Sequence, residues 1–258
     1  MQVIDFSIIG PAFIAGLLVL VTHVPLGRKV LERGIIFLDL AIAQSAAFGV
    51  VVAGLIFEEE NLLFIQISAG TSAILSAVLL NWTERYWAQY QEAIIGSLFV
   101  LMATGSIIAL AGNPHGGENL KELLVGQILW ITWDQLWPTI IISSLVLGAI
   151  VFFKHPLLNF YLPFAVAVTM SVQLVGVYLV FTSLIIPALA TLRLSNKTWV
   201  AKALLIGAGG YGLGLVFSSV LDLPSGAMIV WSLVVVAVVS NLFSIIGTLK
   251  QGYAIRRP

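Results

Sequence analysis

The sequence predicts an all-α bundle of membrane-spanning helices, and three observations lead to that prediction. The 258 residues are 60% hydrophobic and only 9% charged, with a mean hydropathy of +1.07, whereas soluble domains carry about 25% charged residues. The apolar runs reach about 20 residues, the length at which a helix spans a bilayer. Lipid offers no hydrogen-bond partner to open backbone, so helices are the expected spanning form.

The apolar runs give the element order of a single transmembrane domain, residues 1–258. They occupy roughly 6–24, 35–57, 62–82, 93–112, 134–153, 163–192, 198–220 and 225–248. The sixth run is too long for one span. A turn near residues 173–176 divides it into two short crossings, and we therefore expect about eight to nine spans.

The distribution of basic residues supports that turn and predicts an orientation. Without it, the twelve Lys and Arg residues divide five against seven across the membrane. With it, eleven lie on one side and only Lys121 lies opposite. Because basic residues favour the cytoplasmic side, the sequence predicts an outside N-terminus and a cytoplasmic C-terminus. The net charge of zero gives no reason to expect a nucleic-acid partner.

Asp39 is the most informative single residue because it lies inside the second apolar run. A carboxylate in the middle of a span costs about 2.5–3.5 kcal/mol on insertion scales, so such residues usually have a function. Pairing with a neighbouring helix and a position near the end of the span are the alternatives. Ala43 is one helical turn after Asp39, whereas Gln44 is about 140° away on an ideal helix. The two polar side chains share a face only if the helix is locally unwound.

Other patterns exclude several chemistries. The chain has no cysteine, so disulfides, thiolate metal sites and thiol redox reactions are excluded. It has no P-loop and no catalytic triad or carboxylate pair, and we do not expect an enzyme. The G-x-G-x-x-G pattern at residues 207–212 lies within an apolar run, where it predicts close helix packing through Gly210 and Gly214.

The three histidines, His23, His115 and His155, all lie near the ends of apolar runs. We therefore expect no imidazole site in the middle of the membrane. His115 and Glu118 are three residues apart in the long loop before the fifth run and form a weak candidate metal pair. The alternative is that they are an ordinary solvated pair.

Three segments together resemble the membrane subunit of bacterial zinc/manganese ABC importers. Residues 26–49 resemble its basic loop and Asp-containing second span. Residues 175–190, which include Gly176 and Pro187, resemble its apolar G-V…I-I-P-A stretch. Residues 222–226, Asp-Leu-Pro-Ser-Gly, resemble the turn before its last span. Order and spacing match over nearly the whole chain.

The resemblance implies the fold of a type II ABC importer permease in the bacterial plasma (inner) membrane, in contact with lipid. It implies a homodimer with a cytoplasmic ATPase subunit and an extracytoplasmic solute-binding protein. No permanently bound cofactor is expected, and the substrate would be a divalent metal, zinc or manganese. Asp39 would be a pathway ligand and Gln44 a second one. Gln173, Gly176 and Pro187 would belong to a broken helix beside the pathway.

The sequence departs from that family at two places. The family has a histidine one turn after its aspartate. Ala43 stands at that spacing here, whereas Gln44 takes the histidine's place when the count runs back from Gly49, so the metal and its presence remain open. The loop after residue 153 is about a dozen residues shorter than the family's ATPase-docking loop. We therefore expect the ATPase to contact Arg28, Lys29, Arg33 and Lys154. A scaffold that has lost transport and a permease for a non-metal substrate are the alternatives.

Overall fold

The computed structural model describes residues 6–56, 62–110, 126, 128–194 and 198–254, with side chains up to Leu242. These residues contain nine α-helices and, within the described ranges, no strand. The helices are α1 Phe6–Arg33, α2 Leu38–Ile56, α3 Leu62–Trp87, α4 Gln91–Leu110, α5 Trp133–Phe152, α6 Leu162–Val175, α7 Val177–Ala190, α8 Trp199–Leu221 and α9 Ser225–Ala254. The prediction of an all-α bundle is confirmed.

The number of spans also agrees with the sequence. Seven helical stretches are long and apolar enough to cross a membrane, and one of them, Leu63–Leu110, contains both α3 and α4. The shorter apolar helix α7 is additional. A 3-10 turn, Ala88–Tyr90, joins α3 to α4, and a π-helical turn, Leu157–Tyr161, leads into α6. The described helices therefore match the expected eight to nine spans.

The turn predicted in the sixth apolar run occurs at Gly176, which separates α6 from α7. Its φ of 82° lies in the left-handed region that favours glycine. Gly126 packs directly against this break, since a β-carbon built on Gly126 would lie 2.2 Å from the Val175 carbonyl carbon. Gly126 thus contacts the junction of the two short helices.

Helix α1 lies at the centre of the bundle, where it packs against α5, α6, α7 and α8. It extends to Arg33, nine residues beyond the predicted end at residue 24. The apolar pattern ends early because the last turns carry basic residues, which obtain partners from other helices. Helix α2 packs mainly against α3 and α4, and α8 packs against α9.

Glycines allow the closest helix contacts, as the sequence predicted for Gly210 and Gly214. Added β-carbons at these two positions would lie 2.8 Å from the Leu233 α-carbon and 2.4 Å from the Ile229 α-carbon. Helices α8 and α9 therefore approach each other at backbone distance. This confirms the packing interpretation of the glycine pattern.

Candidate functional site

Asp39 lies in the first turn of α2 and not in the middle of a span, so the predicted position was wrong. The reason is the end of α1, where Gly34 adopts a φ of 71° and the Ile35 amide donates to the Val30 carbonyl at 3.3 Å. This Schellman-type end places residues 35–37 in a turn, and Phe37 is 48% exposed. The second apolar run therefore begins before the helix does.

The Asp39 side chain is fully buried by its own chain, and neither carboxylate oxygen has a hydrogen-bond partner among the described residues. The start of a helix is a favourable place for negative charge because the peptide dipoles point their positive ends there. A buried carboxylate without a partner is nevertheless unusual in proteins. Asp39 therefore has two oxygens free to bind a cation or a proton.

Gln44 does not join Asp39 on one face of α2. The helix is continuous from Leu38 to Ile56, without the local unwinding that such a site requires. Ala43, one turn after Asp39, is fully buried and offers no ligand atom. Gln44 is 8% exposed and lies about 140° around the helix. Among the described residues, no three His, Asp or Glu side chains are grouped so that they could hold a metal.

Gln173 lies near the break at Gly176, as the sequence predicted, and contacts α3. Gln66 Nε2 donates to Gln173 Oε1, while Gln173 Nε2 is buried without a partner among the described residues. Pro187 is different, because it lies inside α7, which continues to Ala190. The helix therefore does not break at Pro187. Thr191 Oγ1 donates to the Pro187 carbonyl at 2.9 Å and fixes the following turn.

His23 lies well inside α1 and is fully buried, contrary to the expectation that every histidine lies near a span end. Its Nδ1 is 2.9 Å from the Val19 carbonyl oxygen and 3.0 Å from Thr22 Oγ1. Its Nε2 has no partner among the described residues. The sequence reasoning missed His23 because the apolar run ends at residue 24, although α1 does not.

The basic residues near the end of α1 define one end of the bundle, which we call the basic end. It contains Arg28, Lys29, Arg33, Arg85 and Lys154. Arg28 donates to Glu32 and to the Leu194 carbonyl, each at 3.0 Å, and its guanidinium lies 4.6 Å from the Trp199 ring centre. Arg28 thus connects α1 to the segment between α7 and α8.

Lys29 and Arg33 also donate hydrogen bonds to other residues of the chain. Lys29 Nζ lies 2.5 Å from Asn159 Oδ1, and Asn159 Nδ2 donates to the Ile150 and Phe153 carbonyls at the end of α5. Arg33 donates to both carboxylate oxygens of Glu84, at 3.1 and 3.2 Å. The sequence reasoning missed Asn159 and Glu84, since only the fold brings them next to α1.

The three remaining predicted residues, Lys154, His115 and Glu118, have different outcomes. Lys154 is exposed in the short connection between α5 and the π-helical turn, beside His155, whose Nε2 is 2.9 Å from Arg85. His115 and Glu118 lie outside the described residues, so their role as a metal pair stays a prediction. Of the proposed ATPase-contacting residues, Lys154 is therefore the one most open to a partner.

Comparison with known proteins shows to which family this chain belongs. The model of the ABC 3 transport family matches residues 5–163 and 158–244. This chain belongs to the ABC 3 transport family. It is therefore a multi-pass membrane permease subunit of an ABC transporter. The resemblance found in the sequence is confirmed.

The permease is similar over nearly its whole length to proteins named as manganese transport subunits. It is 25% identical to the manganese transport system membrane protein MntC of Halalkalibacterium halodurans, covering 95% of this chain and 88% of that protein. It is 27% identical to the manganese import system permease protein ScaB of Streptococcus gordonii, covering 92% and 91%.

Its fold resembles that of PsaBC from Streptococcus pneumoniae, solved in complex with Fab. The TM-score is 0.73 at 20% sequence identity, covering 92% of this chain and 91% of that chain. This likeness shows that the permease has the fold of an ABC transporter membrane subunit.

Proposed function

We propose that the permease imports a divalent transition-metal cation and that manganese is its main substrate. The observation that carries this proposal is the buried, unpartnered Asp39 carboxylate at the start of α2. Carboxylate, amide and water oxygens suit manganese, whereas zinc prefers imidazole and thiolate ligands. The residue one turn after Asp39 is Ala43, which has no imidazole, and the chain has no thiol. The names of the similar proteins MntC and ScaB agree with manganese.

The energetics of Asp39 support a role in cation passage. An unpaired charge inside a protein is strongly destabilising, and removing one partner of a buried pair costs about 3–5 kcal/mol. Asp39 is stable without a partner when it is protonated, and it becomes charged when a cation replaces the proton. A carboxylate that alternates between a protonated and a cation-bound state binds its substrate reversibly. This is what a transport pathway requires, because the cation must leave again.

The complete transporter, in this proposal, is a homodimer of the permease with a cytoplasmic ATPase and an extracytoplasmic solute-binding protein, in a bacterial plasma membrane. The basic end faces the cytoplasm, in agreement with the positive-inside rule. The ATPase contacts the exposed connection around Lys154. Because Asp39 is buried within one chain, each permease copy has its own carboxylate ligand.

Uptake by matched aspartate variants tests the proposal. We expect Asp39→Asn, which keeps the size of the side chain, to reduce manganese uptake in proteoliposomes to background while expression and folding stay normal. Asp222→Asn is the control, because Asp222 is exposed with a φ of 54°, which asparagine tolerates. Wild-type manganese uptake by Asp39→Asn would contradict the proposal. A wild-type complex that binds its ATPase but moves neither manganese nor zinc would instead support the scaffold alternative.

A further inference from the structure

His23 has a hydrogen-bond arrangement that fixes which ring nitrogen carries the proton. The Val19 carbonyl oxygen can only accept, and it lies 2.9 Å from both His23 Nδ1 and Thr22 Oγ1. If Nδ1 were unprotonated, two lone pairs would face each other at this distance. The network therefore assigns the proton to Nδ1. Neutral His23 then has its free lone pair on Nε2.

This lone pair is buried and unused. His23 is 0% exposed, and Nε2 has no partner among the described residues. A buried acceptor without a partner is destabilising. Histidines that bind metals almost always donate their other ring N–H to a carboxylate, a carbonyl or water. His23 already has that arrangement, with the Val19 carbonyl as the acceptor.

His23 and Asp39 lie at different depths in the bundle. His23 precedes Arg33 by ten residues in α1, which is about 15 Å along a helix. Asp39 is the second residue of α2, which starts just after the connection that follows Arg33. The imidazole is therefore farther from the basic end than the carboxylate. The two groups form separate positions along the bundle.

We propose that His23 Nε2 is a second binding position for the transported cation, separate from Asp39. The inference rests on the proposed function of metal import. A transported ion must be bound weakly enough to leave again. A single imidazole suits manganese less well than carboxylate oxygen does, so His23 would be a weak position of this kind. Nε2 is covered in this conformation, so the proposal requires a second conformation in which the cation reaches it.

Pulsed EPR of bound Mn²⁺ tests the inference, because an imidazole coordinated to Mn²⁺ gives a ¹⁴N signal. The sample is the complete permease–ATPase complex in lipid nanodiscs, both nucleotide-free and vanadate-trapped. The permease chain has three histidines, so in the double variant His115→Gln/His155→Gln its one remaining histidine is His23. We expect the ¹⁴N signal to persist in this double variant in at least one of the two states. Absence of the signal from both states would overturn the inference.

His23→Asn separates a ligand role from a structural one. The asparagine amide can still donate to the Val19 carbonyl, but it does not reach the Nε2 position. We expect this variant to lose the ¹⁴N signal and to bind Mn²⁺ about tenfold more weakly, with an unchanged melting temperature. If it unfolds, His23→Gln in the double-variant background, which also removes the imidazole, provides the second comparison, and persistence of the ¹⁴N signal there would overturn the inference.

Measurements on the wild-type complex distinguish a failure of the His23 inference from a failure of the proposed metal import. If wild-type complex takes up manganese and His23→Asn keeps both the signal and the affinity, only the His23 inference fails. If wild-type complex takes up no divalent metal, the proposed function fails and the inference fails with it.

Discussion

Gly27 of α1 packs directly against the Leu184 carbonyl of α7, since an added β-carbon would lie 2.0 Å from that oxygen. The contact involves backbone on the α7 side, so no side-chain rotation relieves it. It holds the central helix against the helix that contains Pro187. We expect Gly27→Ala to separate α1 from α7 and to destabilise the permease by about 1–3 kcal/mol.

Thermal unfolding of detergent-purified protein, followed by fluorescence-detected size exclusion, measures this effect. Gly54→Ala is the matched control, because an added β-carbon at Gly54 meets no atom within 4 Å. Alanine is the better helix former, so the control should be unchanged or slightly stabilised. Equal melting temperatures for Gly27→Ala and wild type would show that the contact does not limit packing.

Tyr211 and Ser183 form a buried polar contact between α8 and α7, with their oxygens 2.8 Å apart. Ser183 also donates to the Leu179 carbonyl at 2.7 Å, so the tyrosine hydroxyl is the donor between the two side chains. Tyr211→Phe removes that donor and keeps the ring that packs against Gly16. We expect a loss of about 0.6 kcal/mol, the average for hydrogen bonds between membrane helices. Tyr178→Phe is the control, because Tyr178 is 54% exposed.

Asn159 joins three segments at the basic end, and its removal should have a larger effect. Asn159→Ala leaves the Ile150 and Phe153 carbonyls without their side-chain donor, and it leaves Lys29 with only the backbone carbonyl of residue 159, at 3.3 Å, as an acceptor. We expect a loss of about 1–3 kcal/mol. A double-mutant cycle with Lys29→Met should give a coupling energy of at least about 0.5 kcal/mol. Additive effects of the two substitutions would mean that the Lys29 contact contributes little.

The break at Gly176 was predictable because a length rule and a charge rule agree on it. Residues 163–192 are too long for one span, and a turn there gathers eleven of twelve basic residues on one side. The span length and the distribution of basic residues both reflect the membrane, and neither depends on which helices pack together in the fold. The glycine supplies the backbone conformation that the turn needs.

The depth of Asp39 and the burial of His23 were not predictable from the apolar pattern. Hydropathy marks where lipid contacts the chain, but α1 also packs against four other helices, so its last turns can be basic and still helical. Lys29, for example, is half-buried and donates to Asn159. Such partners lie far away in sequence, 130 residues in this case. Only the fold brings them together.

The orientation of the permease can be tested cleanly because the chain has no cysteine. Single cysteines at Gln2, Glu59 and Gly117 should react with an impermeant reagent added outside intact cells. A cysteine at Gly252 should react only after the membrane is opened, as expected for a cytoplasmic C-terminus. Outside labelling at Gly252 with protection at Gln2 would reverse the orientation.

The last prediction distinguishes docking from folding at the basic end. Each basic residue near the end of α1 donates a hydrogen bond within the chain: Arg28 to Leu194, Lys29 to Asn159 and Arg33 to Glu84. Lys154, in contrast, is exposed. We therefore expect Lys154→Glu to weaken co-purification of the ATPase about tenfold while the melting temperature of the permease stays unchanged. Arg33→Gln should lower the melting temperature, because Glu84 loses both of its hydrogen bonds from Arg33.

The triple variant Arg28→Gln/Lys29→Gln/Arg33→Gln completes this test. If it folds with verified orientation and still binds the ATPase normally, the three charges stabilise and orient the permease without contacting the partner. If it folds but loses the ATPase while Lys154→Glu keeps it, the docking surface lies at the end of α1. The connection after α5 would then be excluded as the main contact.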